Sequence, residues 1–126
     1  MILADTSVWI DHLRSVSSPT SKEMRRHLDL GQIVIHPFII AELALGSLKD
    51  HAQTLALLDL LPHIRVARTS ELRLMIEARQ LYNLGIGLTD AHLIASVFIN
   101  PPTLLWTRDK RLRKVAENLS IHASLP

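Results

Sequence analysis

The sequence predicts an α/β protein, a three-layer α/β/α sandwich built on a mainly parallel central sheet, and three observations carry that expectation. Residues 1–4, 33–35 and 103–106 are short, largely apolar runs of the kind that form buried strands. Between and after them lie stretches whose apolar residues recur at helical spacing. Strands that alternate with helices pair in parallel through right-handed crossovers. No repeat, linker or low-complexity tract interrupts the 126 residues, so a single domain over 1–126 is expected.

The elements follow in order. The first apolar run stops at Asp5, and Thr6 or Ser7 caps a helix with Trp9, Leu13 and Val16 on its inner face at i, i+4 and i+7. Asp5 thereby stands at the carboxyl end of a strand, where open α/β sheets bind their ligands. Residues 15–20, with Pro19, read as a loop, and 21–30 as a short polar helix stopped by Gly31. The strand 33–35 follows. Pro37 suits a first helical turn that 38–45 extends as far as Gly46, with Glu42 the one acid on an apolar helix.

Residues 50–61 form the next helix, Leu55, Leu58 and Leu61 facing inward and Pro62 ending it, and 64–67 read as a short strand. Thr69 or Ser70 caps a long helix predicted through Asn83, with Glu71 offsetting its N-terminal dipole. Gly85-Ile86-Gly87 breaks that helix and delivers Thr89 and Asp90. The helix that Asp90 opens, through Ile99, is apolar nearly all round and so buried. Pro101-Pro102 ends it. The strand 103–106 finishes at Thr107-Arg108-Asp109, and a last helix over 109–119 turns Leu112, Val115, Ala116 and Leu119 inward. Ile121 and His122 suit a final edge strand.

Composition narrows the function. There is no cysteine, which removes disulfides and thiolate metal sites and suits a reducing compartment. No apolar run approaches the length of a membrane span, so a soluble cytoplasmic protein without membrane attachment is expected. A net charge of +2 is too small to argue for nucleic acid by itself. The distribution says more, because Arg108, Lys110, Arg111, Arg113 and Lys114 crowd one segment while several acids stand in apolar surroundings.

Those acids carry the chemistry. Parallel strands end on one side, so Asp5 and Asp109 are expected to share a crevice, with the helix start at Asp90 close by. Taken singly, Asp90 and Asp109 also read as helix caps, and Asp5 as the partner of a buried arginine. Glu42 has no basic residue at i±3 or i±4 to excuse it. Burying unpaired carboxylates costs several kcal/mol, roughly, for each. Clustered acids raise one another's pKa unless a cation neutralises them. All-oxygen ligation favours Mg²⁺ or Mn²⁺ over zinc, and such an ion suits phosphodiester hydrolysis. Ser7 and Thr107 are placed to hydrogen-bond the carboxylates, or to act as ordinary caps.

The same residues resemble the PIN-domain family and, within it, the VapC-type ribonuclease toxins of prokaryotic toxin–antitoxin pairs. Asp5-Thr6-Ser7-Val8-Trp9-Ile10 is similar to the family's opening motif, Ala41-Glu42-Leu43-Ala44-Leu45-Gly46 to its second, Thr89-Asp90-Ala91-His92-Leu93-Ile94-Ala95 to its third and Thr107-Arg108-Asp109 to its fourth. The ordered set spans nearly the whole chain. The resemblance implies a Mg²⁺- or Mn²⁺-dependent endoribonuclease, usually a homodimer, silenced by a cognate antitoxin. It makes Asp5, Glu42, Asp90 and Asp109 the catalytic and metal-site residues, with Ser7 and Thr107 supporting. Pro37 and Leu112 depart from the family pattern without touching the acids.

Other readings are weaker. Arg108, Lys110 and Arg111 would contact RNA, or merely form a solvated helix face. The seven histidines are scattered without H-x-x-x-H spacing, and only His92 adjoins a candidate acid. Trp9 and Trp106 read as core. Dinucleotide and P-loop motifs are absent. A phospho-acceptor signalling module would use Asp5 with Thr107 and Lys110, but it needs an acidic pair after the first strand, where hydroxyls stand instead. A catalytically silent PIN-like binding protein is the remaining alternative.

Overall fold

Strand β1 (Ile2–Ala4) is the middle of a three-stranded parallel sheet, flanked by β2 (Ile33–Val34) on one edge and β3 (Leu104–Trp106) on the other. The computed structural model describes residues 1–126. Ile2 pairs with Ile33 and Leu104, Leu3 with Val34 and Leu105, and Ala4 with Trp106. Leu3, Ala4, Leu105 and Trp106 have no solvent contact at all, as a strand covered on both faces requires. Single parallel bridges, Ile35 to His63 and Leu105 to His122, widen the sheet at each edge.

Seven helices surround it: α1 (Thr6–Arg14), α2 (Pro19–Asp29), α3 (Pro37–Leu45), α4 (His51–Asp59), α5 (Thr69–Ala78), α6 (Leu88–Phe98) and α7 (Lys110–Asn118). Helix α1 packs on α2 and α3, α3 on α4, α5 on α6, and α6 against β3. Residues Ala91 to Val97 of α6 are all buried, which accounts for its all-round apolar sequence. The α/β architecture with a parallel sheet is the one expected. No helix is long and apolar enough to cross a membrane.

The local stop and start signals differ in places from the expected ones. Asp5, rather than Thr6 or Ser7, caps α1, its side chain accepting from the Val8 amide. The helix ends at Arg14, with Ser15 extended. Leu13 and Val16 are therefore 42% and 75% exposed, and Val8 with Trp9 fills the inner face. Helix α2 starts two residues early because Ser18 caps it and Pro19 supplies its first turn. In α4, which ends at Asp59 rather than Leu61, Leu58 is buried and Leu55 partly so, with Leu61 partly buried just beyond the helix.

Residues 64–67 form no strand. Besides the Ile64 amide, which bonds Ile35 O at 3.0 Å, two of their backbone groups bond to side chains, one on α6 and one just after it. The Ala67 amide donates to Ser96 Oγ at 3.2 Å, and Asn100 Nδ2 donates to Arg65 O at 2.9 Å. Helix α5 stops at Ala78, five residues before the expected Asn83. Gln80 takes a left-handed conformation (φ 54°), its amide donates to Glu77 O and the Leu81 amide to Ile76 O, while the Leu81 side chain is buried. That is a Schellman stop made without glycine. Ser120 and Ile121 close α7 in the same way, and His122 contributes a bridge rather than a strand.

Candidate functional site

Parallel pairing brings the carboxyl ends of β1 and β3 side by side, and the Asp5 amide donates to Trp106 O at 2.9 Å. The chain after each strand therefore runs into the same space. Asp5 is 5% exposed, and its carboxylate accepts from Ser7 Oγ at 2.5 Å, from Thr107 Oγ1 and from the Val8 amide at 3.2 Å. Burial pushes its carboxyl above the ordinary range, an effect those hydrogen bonds oppose. Ser7 Oγ in turn accepts from the Arg108 amide at 2.9 Å, and Thr107 Oγ1 from the Asp109 amide at 3.0 Å. Each hydroxyl spends its single proton on Asp5 and its lone pairs on the loop after β3. The two strand ends are thus locked through one carboxylate.

Three more acids join Asp5. Asp109 caps α7, its Oδ1 accepting from the Leu112 amide at 2.9 Å. Asp90 lies in the first turn of α6, half-buried. Glu42, exposed on α3, accepts from Thr6 Oγ1 at 2.6 Å. Asp5, Thr6, Ser7, Glu42, Asp90, Leu93 and Asp109 line one cleft of about 170 Å³. No cationic side chain is among them. Burial pushes the Asp90 carboxyl up to about 6, with the charges of Asp5, Asp109 and Glu42 adding to the effect.

The donor set is entirely oxygen and uncompensated, which fits a hard divalent cation rather than a soft one. No three of these side chains converge into a ready-made cage. An ion held here would keep part of its shell as water, as Mg²⁺ commonly does.

The four acids and Ser7 stand at the cleft itself, with Thr107 buried behind Asp5. Sequence reasoning treated Thr6 only as a cap, whereas its hydroxyl ties α1 to Glu42; position immediately after the strand-end acid was the available signal. Leu93, one turn beyond Asp90, supplies the one apolar wall.

Of the three predicted basic contacts, two stay together and one does not. Arg108, whose Nη1 pairs with Asp11 Oδ1 at 2.5 Å, and Lys110 line one neighbouring pocket, whereas Arg111 turns away so that its Nη1 lies 3.5 Å from Gly85 O. Asp5 and Lys110 thus face different pockets, which a phospho-acceptor arrangement would not allow. His92 is buried with its ring 4.7 Å from that of Phe38, outside the cleft lining. Trp9 and Trp106 are both core residues.

Known proteins share this arrangement of sequence. The PIN domain family model matches residues 2–118. Ribonuclease VapC32 of Mycobacterium tuberculosis, from strain CDC 1551 / Oshkosh, is 41% identical over 113 residues, covering 90% of this chain and 88% of that protein. The protein of the same name from strain ATCC 25618 / H37Rv matches to the same extent. A match over nearly all of both chains, on a parallel sheet whose ends gather four acids, makes the chain a VapC-type member of the PIN-domain family.

Proposed function

We propose that the protein is a divalent-metal-dependent endoribonuclease, acting as the toxin of a toxin–antitoxin pair. The observation that carries the reading is the convergence of Asp5, Glu42, Asp90 and Asp109, from four separate chain segments, on one cleft without a cation. The M. tuberculosis relatives are named as ribonucleases, which supports the substrate class.

Asp5, Asp90, Asp109 and Glu42 would hold Mg²⁺ or Mn²⁺. A bound ion would supply positive charge to the scissile phosphate and lower the pKa of a water that attacks it. The chain's own part is positioning. Ser7 and Thr107 hold both oxygens of Asp5, and Thr6 holds Glu42. Ser7 and Thr107 each donate to Asp5 and accept from a backbone amide, so both hydroxyls serve positioning, and the reading assigns the attack to water rather than to a side chain. Helix α6 presents Asp90 from a fully buried body, which fixes the carboxylate against the cleft.

A cognate antitoxin and a second copy of the chain are the protein partners of this reading, in a cytoplasmic setting. Support comes from exposed leucines, among them Leu57 and Leu60 at the end of α4, Leu74 on α5 and Leu88 at the start of α6.

The test is cleavage of a structured-RNA panel in EDTA, Mg²⁺ or Mn²⁺, comparing wild type with Asp90→Asn. Ion-dependent cutting that vanishes in the variant supports the proposal. Cutting that persists in EDTA, or survives in Asp90→Asn, sinks it.

A further inference from the structure

Beyond Asp109 the surface changes sign. Asp109 lines the acid cleft, while its two chain neighbours, Arg108 and Lys110, turn into a separate pocket of about 360 Å³. Arg113, one turn along α7, joins them, and Ser18 and Thr20 at the start of α2 form the facing wall. No apolar side chain other than proline lines this pocket. Arg108 is fixed by Asp11, which also accepts from Ser18 Oγ at 2.5 Å. Arg113 Nε pairs with the exposed Glu117 Oε1 at 3.0 Å, and Lys110 has no carboxylate partner. Two paired cations and one unpaired one thus share the pocket with a wall whose Thr20 hydroxyl donates to Pro126 O.

We propose that this pocket binds a backbone phosphate of single-stranded RNA next to the one presented to the acids. The inference rests on the reading of the cleft as an RNA-cleaving site and deepens it. A protein partner would seek an apolar centre, which this pocket lacks. A polyanion seeks cations and polar groups, which it has. The placement also answers an electrostatic difficulty. Four carboxylates repel an approaching phosphodiester, and cations one residue either side of Asp109 offset that repulsion while the strand is laid across the cleft. Arg111 takes no part, because its side chain lies against Gly85, where an added Cβ would come within 3.0 Å of Nη1.

The test is fluorescence anisotropy with a short labelled single-stranded RNA, in EDTA so that no divalent ion contributes, over a series of salt concentrations. Lys110→Ala/Arg113→Ala is compared with Arg73→Ala/Lys114→Ala, which removes the same charge from exposed positions outside the pocket. The first variant is expected to bind about tenfold more weakly, with a salt slope shallower by about 1, and the second to match wild type. Equal losses in both variants, an unchanged affinity in the first, or no binding by wild type would each overturn the pocket. Ion-dependent cleavage is measured alongside. If it stands while the two variants bind alike, only the pocket fails; if the pocket behaves as expected in a protein that cuts no RNA, only the cleavage reading fails.

Discussion

Thr107 donates its hydroxyl proton to the carboxylate of Asp5 across 102 residues of sequence, and this contact joins the ends of β1 and β3. Replacing Thr107 by Val keeps the shape and removes the donor. One buried oxygen of Asp5 then loses a partner, at a cost of roughly 1–3 kcal/mol. Cleavage and divalent-ion affinity are each expected to fall about 10- to 100-fold, as when a ligand loses the group that orients it. Thr107→Ser restores the hydroxyl and most of both properties. Wild-type ion affinity in Thr107→Val would show that the contact orients nothing.

Asp90→Asn separates stability from function. Asp90 is half-buried and repelled by Asp5, Asp109 and Glu42, so its ionised form destabilises the ion-free fold. Removing the charge is expected to stabilise the protein at pH 7 by about 1 kcal/mol, after allowance for solvent screening. That corresponds to a rise of a few degrees in Tm. Wild type should gain Tm on adding Mg²⁺ or Mn²⁺, and the variant should gain little. A lower Tm for the variant in EDTA, or an undiminished response to the ion, would contradict the proposed site.

His36 gives the fold an acid-sensitive joint. It caps α3 with Nδ1, which accepts from the Phe38 amide at 3.0 Å, and it is fully buried. Burial, reinforced by His92 on α6, lowers its pKa from 6.5 to about 4. Unfolding releases this constraint, so the unfolded chain binds more protons between those values. The stability this neutral imidazole contributes is complete above pH 6.5 and is lost as the pH falls toward 4, on the order of 2 kcal/mol. The raised carboxyls of Asp5 and Asp90 act in the opposite sense. His36→Asn keeps a cap acceptor without the titration. Its Tm should fall less between pH 7 and pH 4.5 than that of wild type; parallel curves would sink the assignment.

The legible parts of the molecule were those whose signal is local. Asp5 at the end of an apolar run, Glu42 alone on an apolar helix and Asp90 in the first turn of a buried one each stand out against their neighbours. The parallel sheet follows from the alternation of elements. What could not be read depends on contacts made far along the chain. Residues 64–67 carry a strand-like pattern, yet Ser96 and Asn100 take up backbone groups that a strand would have paired. The Thr6–Glu42 bond spans 36 residues, and the basic pocket exists only where α2 meets α7. Lys110 and Arg113, i and i+3 on the predicted last helix, were legible as neighbours, but Ser18 and Thr20 closing a pocket against them were not, and Arg111 was equally basic but turned elsewhere.

The early stop of α5 belongs to the same class and is open to test. Glycine would have marked it, but Gln80 holds the left-handed position, with Leu81 buried behind it. A residue with a Cβ pays about 1–2 kcal/mol for that conformation, and glycine does not. Glycine gives back roughly 0.5–1 kcal/mol through the freedom of the unfolded chain. The balance favours Gln80→Gly by a few tenths to about 1 kcal/mol, seen as a Tm increase of one to a few degrees, roughly. Gln80→Ala retains the Cβ and should show no such gain. A Tm below wild type for Gln80→Gly would mean that the glutamine side chain stabilises the turn through a contact of its own, and that the stop is set by Leu81 alone.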